Sequence, residues 1–214
     1  MDTTEKVKRR YDRNSRFYEL YESPMERMMF GGLRRRFFEK INADNHKAIL
    51  EVGVGTGKNL PYYTDQGVTG IDISDKMLEK ARSKNRRLRK GADLRVADAQ
   101  ALPFADGSFD AALATFVFCS VPDPVKGLRE VKRVVKNGGK IYLMEHVRPT
   151  RSRLLGFLFD MFDPIFSRLT GAHISRETLS NVEKAGFEIV NRYEGPGGIL
   201  QMIEAVPGKK EHMR

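Results

Sequence analysis

The sequence predicts an α/β fold, in which helices cover both faces of a seven-stranded, mostly parallel, doubly wound sheet. Two observations support this prediction. Five apolar, strand-like segments alternate with helical segments between residues 48 and 146, as is typical of parallel sheets with right-handed crossovers. Two further strand-like segments near the C-terminus are joined by Gly195-Pro196-Gly197-Gly198, which predicts a hairpin and therefore an antiparallel last strand.

Each element follows from a local pattern of apolar spacing and of capping residues. Strands are expected at 48–52, 68–72, 93–98, 109–118, 139–146, 187–194 and 199–206. Helices are expected at 58–65, from Ser74 or Asp75 to about Gly91, at 124–136, and from near Ser175. The glycines at 138 and 139 should end the helix 124–136, because glycine is favoured just after a helix C-terminus.

The chain of 214 residues is long enough for one domain with a substantial core. Residues 1–40 are dense in Arg, Tyr, Phe and Met at helical spacing, and predict an N-terminal cap. We expect Pro24 and Gly31–Gly32 to break this cap into short helices. The α/β core is expected to span 47–207, with an insertion at 147–172.

The net charge of +10 indicates an anionic partner, which could be nucleic acid, an acidic substrate or a membrane surface. A single cysteine, Cys119, fits a reducing cytosol. The N-terminus lacks the apolar segment of a signal peptide, and the longest apolar run is shorter than the ~20 residues that span a bilayer. We therefore expect a cytoplasmic location, or a peripheral one at the inner face of a membrane.

Polar and glycine positions coincide with three successive strand ends. Gly53-Val54-Gly55-Thr56-Gly57 follows the first strand, although a tight strand-to-helix turn alone would look similar. Asp72 ends the second strand, where its carboxylate could accept both hydroxyls of a ribose. Asp98 ends the third, where it could accept from an adenine amino group while the N–H of Ala99 donates to the ring.

An apolar slot for a base could come from neighbouring side chains, although most of these are expected to be core residues. The candidates are Ile73, Met77, Leu102 and Phe104.

These combined features resemble the class I S-adenosylmethionine (SAM) dependent methyltransferases, which have a Rossmann-like fold. ILEVGVGTG resembles their first motif, GIDIS their ribose motif and ADAQALPF their adenine motif, and the likeness covers roughly residues 45–206. The resemblance implies that SAM is the cofactor and that Thr115 and Phe116 lie beside its methionine part. It also implies that the cofactor is held by Glu51, Gly53, Gly55, Asp72 and Asp98.

A nucleic-acid substrate is disfavoured. Methyltransferases that modify bases commonly carry an N/D-P-P-aromatic element after the fourth strand, where this chain reads CSVPDP. The basic runs at 34–36 and 84–90 are more typical of solvated helix faces than of phosphate contacts. We expect a small-molecule or lipid acceptor, while the oligomeric state is left open.

Within the family, the chain resembles small phospholipid N-methyltransferases and their relatives in quinone biosynthesis, and EVGVGTGKNLPYY with VTGIDISDKMLEKAR resembles the phospholipid group especially. YDRNSRFYELYE resembles their N-terminal lid helix, which implies that Tyr11 and Tyr18 close over SAM and the acceptor, although both could instead pack the cap onto the core. FVFCSVPDP and HISRETL also resemble membrane-associated thiol methyltransferases. A phosphatidylethanolamine-type amine is therefore the first expectation for the acceptor, followed by a quinone-precursor carbon or oxygen, or a thiol. A non-catalytic SAM- or RNA-binding module is the outside alternative.

An ammonium or thiol acceptor must lose a proton before it accepts a methyl group. His146, at the end of the fifth strand, is the first candidate for a general base, and Glu145 is the second. A histidine that only satisfies a local carbonyl is the alternative. The four histidines show no metal-ligand spacing, so no metal site is expected.

The segment LLGFLFDMFDPIF at 154–166 contains four of the chain's thirteen phenylalanines and is flanked by arginines. It could be an ordinary buried helix over the sheet edge. Alternatively, it could form the acceptor pocket and dip into a membrane interface, with phenylalanines in the acyl boundary and arginines at anionic headgroups. The predicted insertion 147–172 is assigned this acceptor-site and membrane-facing role.

Overall fold

The computed structural model describes residues 3–146, 161, 177–195 and 200–208, with side chains throughout except at 16–31. It contains seven strands: β1 (Ala48–Val52), β2 (Gly67–Asp72), β3 (Asp93–Val96), β4 (Phe109–Thr115), β5 (Val135–His146), β6 (Phe187–Glu194) and β7 (Leu200–Pro207). Its helices are α1 (Thr4–Ala43), α2 (Asp75–Leu88), α3 (Pro124–Val134) and α4 (Thr178–Lys184), with a short 3₁₀ turn at Leu60–Tyr62. Apart from Met161, the predicted insertion lies outside the described residues.

The strands form one sheet in the order β3-β2-β1-β4-β5-β7-β6. The first five in this order pair in parallel, whereas β7 runs antiparallel to both β5 and β6. The predicted sheet with a reversed last strand is therefore confirmed. The strand order reverses between β1 and β4, and in open α/β sheets such a switch point creates a crevice at the carboxyl ends of the strands.

Alternating residues of the central strands pack on opposite faces of the sheet, as the period of a strand requires. Leu50 and Ala112 belong to a core that α3 and α4 cover with Leu128, Val131 and Val182. On the other face, the C-terminal part of α1 covers the sheet; the residues buried there include Ile49, Leu113, Phe37, Phe38 and Ile41. Helices thus lie on both faces, as predicted.

The expectation that Pro24 and Gly31–Gly32 break the N-terminal cap is wrong, because α1 is one helix of 40 residues. Its N-terminus is capped by the Thr3 hydroxyl, which accepts from the N–H of Lys6. Its C-terminal part buries two phenylalanines and Ile41. Burial of each such side chain stabilises by about 1.5–3 kcal/mol, which offsets the roughly 1 kcal/mol for each glycine and ~3 kcal/mol for a proline in a helix.

The helix expected at 58–65 is replaced by the 3₁₀ turn at Leu60–Tyr62. Pro61 sits at the start of that turn, and Tyr63 has extended backbone angles that end it. Leu60 and Tyr63 are both buried, so tertiary packing draws this stretch inward. The predicted helix therefore does not form here, because Leu60 and Tyr63, on either side of Pro61, are buried in the core.

Strand boundaries also differ from the prediction: β3 ends at Val96 instead of 98, and the differences at β4 and β5 are larger. β4 ends at Thr115 instead of 118, because Phe116 adopts a positive φ of 59° that a strand cannot continue through. β5 begins at Val135, directly after α3, and the predicted glycine turn lies inside this strand at a register shift opposite β4. Gly139 is required there, since an added Cβ would lie 2.5 Å from the carbonyl oxygen of Asp110.

Candidate active site

A cleft opens at the carboxyl ends of β1 to β4, beside the switch point of the sheet. Its walls are mostly apolar, with carboxylates and hydroxyls at a few points. The lining residues are Thr4, Val7, Tyr11, Val52, Gly53, Gly55, Ile71, Asp72, Ile73, Met77, Ala97, Asp98, Ala99, Thr115, Phe116, Val117, Ser120, Val121 and Pro122.

Nine of the ten residues predicted to hold the cofactor therefore line one cleft, and Glu51 lies behind it. The glycine loop needs its glycines for two different reasons. Gly53 has φ 68°, and an added Cβ would lie 2.4 Å from a Cγ atom of Val117, so the loop packs closely against the turn after β4. Gly55 has φ 54°, and an added Cβ would meet only the carbonyl oxygen of Gly53, at 4.0 Å. The backbone at Gly55 is thus open to the cleft.

Asp72 ties the glycine loop to the end of β2. One carboxylate oxygen accepts from the N–H of Gly55 at 2.9 Å, and the other accepts from the N–H of Ser74 at 2.9 Å. Burial raises the pKa of this carboxyl to about 6, although the backbone N–H groups oppose the shift. The carboxylate is therefore fixed in orientation at the cleft wall, where it can accept further hydrogen bonds.

Asp98 projects into the next part of the cleft. Its carboxylate accepts from the backbone N–H of Gln100 at 2.9 Å and from the hydroxyl of Thr4 at 3.0 Å. Ala97, Ala99, Val121 and Pro122 supply apolar surface around it. A carboxylate beside a flat apolar slot suits a base that carries an amino group.

The four apolar candidates for this slot divide in two. Ile73 and Met77 line the cleft. Leu102 and Phe104 instead belong to the core, where the Phe104 ring packs edge-on against Phe109 at 5.1 Å. Two of the four candidates therefore line the cleft and two belong to the core.

Glu51 is buried beneath the loop, where its carboxylate accepts from the Asn59 side chain at 2.8 Å and from the Tyr63 hydroxyl at 2.7 Å. Burial raises its pKa to about 7, and these two donors oppose the shift. Asn59 also donates to the Thr115 hydroxyl at 3.1 Å and accepts from Arg34 of α1. The network joins the first strand, the fourth strand and α1 behind the cleft.

The first turns of α1 cover the cleft. Thr4, Val7 and Tyr11 line it at the i, i+3, i+7 spacing of one helix face. The Tyr11 hydroxyl lies 2.7 Å from the Ser120 hydroxyl, and the Ser74 hydroxyl donates to Asp12 at 2.5 Å. The structure thus places Tyr11 over the cleft, whereas the side chain of Tyr18 lies outside the described residues.

His146 does not line the cleft as described. Its ring stacks on the ring of Phe116, a residue that does line the cleft, with centroids 4.5 Å apart. Its role as a base stays a prediction. Within 3–146, 177–195 and the other described positions, the Asp, Glu, His and Cys side chains form no group that could hold a metal ion.

Several lining residues were not predicted from the sequence. Thr4 and Val7 share one face of α1 with the predicted Tyr11, and this helical spacing was a usable signal for a covering face. Val117, Ser120, Val121 and Pro122 gave no such signal, because their position depends on where β4 ends and on how the chain turns there.

Comparisons with known proteins agree with this geometry. A family model described as a methyltransferase domain matches residues 50–143. The phosphatidylethanolamine N-methyltransferase of Cereibacter sphaeroides is 41% identical over 116 residues, which are 53% of this chain and 57% of that protein. The chain therefore spans little more than half the length of this relative.

Other relatives match over more of their length. The human thiol S-methyltransferase TMT1A is 34% identical over 180 residues, which are 80% of this chain and 72% of that protein. The ubiquinone/menaquinone biosynthesis C-methyltransferase UbiE of Geobacter sp. (strain M21) is 33% identical over 203 residues, or 82% of this chain and 86% of that protein.

A solved SAM-dependent methyltransferase from Methanosarcina mazei superposes with a TM-score of 0.60 at 28% identity, covering 75% of this chain and 92% of that chain. The residues that the family model matches include the glycine loop and both carboxylates of the cleft. The chain belongs to the class I SAM-dependent methyltransferases and uses SAM as its cofactor.

Proposed function

We propose that the cleft binds SAM and that the methyl group passes to a membrane-borne or lipophilic acceptor, first of all the amine of a phosphatidylethanolamine-type lipid. The observation that carries the cofactor assignment is the Asp72 carboxylate, held by the N–H groups of Gly55 and Ser74 at the mouth of an open glycine loop. In this position it would accept the ribose hydroxyls, while Asp98 would accept from the adenine amino group.

When bound, SAM would supply an electrophilic methyl group: a nucleophile forms a bond to the methyl carbon while the carbon–sulfur bond breaks, and the thioether leaves with the electron pair. The protein's task is then to orient the acceptor and to exclude water. The first turns of α1 lie over the cleft and would exclude water through Val7 and Tyr11. An amine acceptor must also be deprotonated, for which His146 remains the first candidate, since its ring stacks on the cleft residue Phe116.

The cofactor assignment is tested by replacing Asp72. Asp72→Ala removes the acceptor of the ribose hydroxyls and releases the Gly55 N–H, so we expect SAM affinity to fall at least 30-fold in calorimetry. Asp75→Ala is the matched control. Asp75 is an exposed carboxylate at the start of α2 that makes a 3.6 Å ion pair with Lys8 of α1. Wild-type affinity in Asp72→Ala would refute the assignment.

Three features support a lipid acceptor. The relative with the highest identity quoted above is a phosphatidylethanolamine N-methyltransferase. The chain's charge of +10 favours anionic headgroups, and the sequence at 154–166 combines phenylalanines with flanking arginines. A lipid N-methyltransferase must bring the headgroup to SAM while the acyl chains stay in the bilayer.

The acceptor is tested by offering labelled SAM with phosphatidylethanolamine vesicles, a demethylated quinol and an alkyl thiol in parallel. We expect label in the lipid amine at the highest kcat/KM. A thiol acceptor is the second candidate, because the match to the thiol S-methyltransferase TMT1A covers 72% of that protein. A quinone precursor is the third. Label only in the thiol or only in the quinol would replace the lipid assignment.

We also propose that the protein binds membranes peripherally. None of the helices within the described part of the chain is long and apolar enough to cross a bilayer. We expect cosedimentation with anionic vesicles that weakens as salt rises, because charge contributes part of the attraction.

Phe157→Ser with Phe159→Ser should reduce this binding at least fivefold by removing apolar side chains from the proposed interface. Tyr193→Ser is the control, since this aromatic residue is exposed on β6, well away in sequence. Equal binding by the wild type and the double variant, or no binding at low salt, would contradict the proposal.

A further inference from the structure

Glu145 is a fully buried carboxylate on β5, one residue before the end of that strand. It was the second candidate for a general base, but it is not among the residues that line the cleft. Its cross-strand neighbour on β7 is Gln201, which is also buried. Taking a carboxylate out of water is costly, so its contacts indicate what it is there to hold.

One oxygen of Glu145 holds two successive peptide groups. Oε1 accepts from the N–H of Val117 at 2.9 Å and from the N–H of Phe118 at 3.0 Å. Both N–H groups belong to the turn directly after β4, so the carboxylate fixes the backbone of that turn.

The turn has a conformation that needs support. Phe116 has φ 59°, and a bulky aromatic residue rarely adopts a positive φ. Among the other non-glycine residues of the described chain, only Asn45 and Arg89 share this feature, and both are exposed. The N–H of Phe116 donates to the Met144 carbonyl at 2.8 Å, so one side of the turn is held by the β5 backbone and the other by Glu145.

This turn builds one wall of the cleft. Thr115, Phe116 and Val117 line the cleft directly, and Ser120 follows on the same wall. Val117 also packs so closely against the glycine loop that a Cβ at Gly53 would be 2.4 Å from it. A shift of the turn by even a fraction of an ångström would therefore move both the wall and the loop.

We propose that Glu145 is a positioning residue for the methyl transfer, which acts by locking the 116–118 turn against the glycine loop. It does not exchange protons with the acceptor. The inference rests on the cleft being the SAM site, as proposed above, but it is independent of which acceptor is methylated.

A graded series at position 145 tests this role, with SAM affinity by calorimetry, kcat and KM, and thermal stability measured on each full-length variant. Glu145→Gln keeps an oxygen that can accept from both N–H groups, so we expect SAM affinity within about threefold of the wild type. Glu145→Asp withdraws the acceptor by one methylene, and Glu145→Ala removes it. We expect SAM affinity to fall about fivefold in Glu145→Asp and tenfold or more in Glu145→Ala.

Glu204→Ala is the matched control, since Glu204 is another buried glutamate, on β7, which binds Lys140 and Asn191 near the other end of the sheet. It should lower thermal stability without changing SAM affinity. Loss of thermal stability in Glu145→Asp with unchanged SAM affinity and kcat would overturn the proposal, as would a tenfold loss of SAM affinity in Glu145→Gln.

If Glu145→Ala does not fold, the Asp and Gln variants decide the question alone. Measuring SAM binding by the wild-type protein distinguishes a failure of the proposed SAM site from a failure of the proposed role of Glu145. A wild-type protein that binds SAM without the predicted effects at position 145 refutes only the positioning role, whereas unchanged binding in Asp72→Ala refutes the cofactor site.

Discussion

At the scale of single residues, the cleft is supported by carboxylates whose pKa values are raised by burial. Glu51 is raised from 4.5 to about 7, and Asp72 from 3.8 to about 6. Glu51 makes its hydrogen bonds to Asn59 and Tyr63, behind the cleft, whereas Asp72 faces the cleft itself. An enzyme that places such groups at a binding site gives up some stability at neutral pH for a defined geometry.

The raised pKa of Glu51 predicts a pH-dependent stability. Between about pH 4.5 and 7 the folded protein holds a proton on Glu51 that the unfolded chain has released. Its contribution to the free energy of unfolding therefore falls as pH rises through this window, by roughly 2–4 kcal/mol in total. Asp72 acts in the same direction between about pH 3.8 and 6.

Glu51→Gln isolates the titration of Glu51, because a glutamine does not titrate. Its carbonyl oxygen can accept from Asn59, and its amide nitrogen can donate to the Tyr63 hydroxyl oxygen in place of the second carboxylate oxygen. We expect urea denaturation at pH 8 to show a more stable variant than the wild type, with the difference shrinking towards pH 5. A difference that is constant over pH 5–8 would contradict the assigned pKa.

At the scale of elements, α1 is one continuous helix whose C-terminal part packs on the sheet and whose first turns cover the cleft. Its C-terminal part buries Phe37, Phe38 and Ile41 on the sheet, which fixes the helix to the core. Its first turns lie over the cleft through Thr4, Val7 and Tyr11. The C-terminal end of α1 is firmly packed on the sheet, so the first turns, which cover the cleft, are attached to the core through the helix. At the cleft itself, polar contacts such as those of Tyr11 and Asp12 hold these turns in place.

Tyr11→Phe removes one such contact, the 2.7 Å hydrogen bond to Ser120, and keeps the ring. A net hydrogen bond contributes about 1 kcal/mol, so we expect the dissociation rate of SAM to rise roughly fivefold in stopped-flow measurements. Arg13→Gln, at an exposed position of the same helix, is the control. Unchanged dissociation in Tyr11→Phe would show that this contact does not hold the cover.

At the scale of the whole molecule, the end of the sheet opposite the cleft carries a separate polar network. Lys140 donates to Asp44 at 2.8 Å and to Glu204 at 2.6 Å, and Tyr142 donates to Asp44 as well. Burial alone would raise the pKa of Asp44, but these donors outweigh it and lower the pKa to about 2. The network joins the end of α1 to β5 and β7, so it holds the helix that carries the cover.

Lys140→Met removes the cation between two carboxylates, one of which, on Glu204, is almost fully buried. We expect a loss of about 2 kcal/mol in the free energy of unfolding, since only Lys40, 3.3 Å from Asp44 and 3.7 Å from Glu204, then remains to compensate the two carboxylates. The contribution of Asp44 is present above pH 4 and is lost as pH falls towards 2, so the variant and the wild type should converge there.

Because the network lies at the far end of the sheet, SAM affinity of folded Lys140→Met should match that of the wild type. A large loss of affinity with intact stability would show that the two ends of the sheet are coupled.

Much of the fold was predictable because it depends on local patterns. The alternation of strands and helices, the cap at Ser74 and the hairpin strands come from periodicity and turn residues. The strand ends that carry Gly53, Asp72 and Asp98 were predictable too, since parallel strands bring their carboxyl ends to one edge. Nine predicted cofactor residues meet there for that reason.

The sequence by itself therefore determined the sheet, its reversed strand, the family and many of the residues that line the cleft. Only the tertiary structure decided the continuity of α1, the end of β4 just before Phe116 and the partners of Glu145. These features depend on contacts between distant residues, such as Tyr11 with Ser120, 109 positions apart, and Val117 with Glu145, 28 apart. Local propensity does not encode such contacts, because burial and long-range hydrogen bonds outweigh the preferences of a single proline, glycine or strand run.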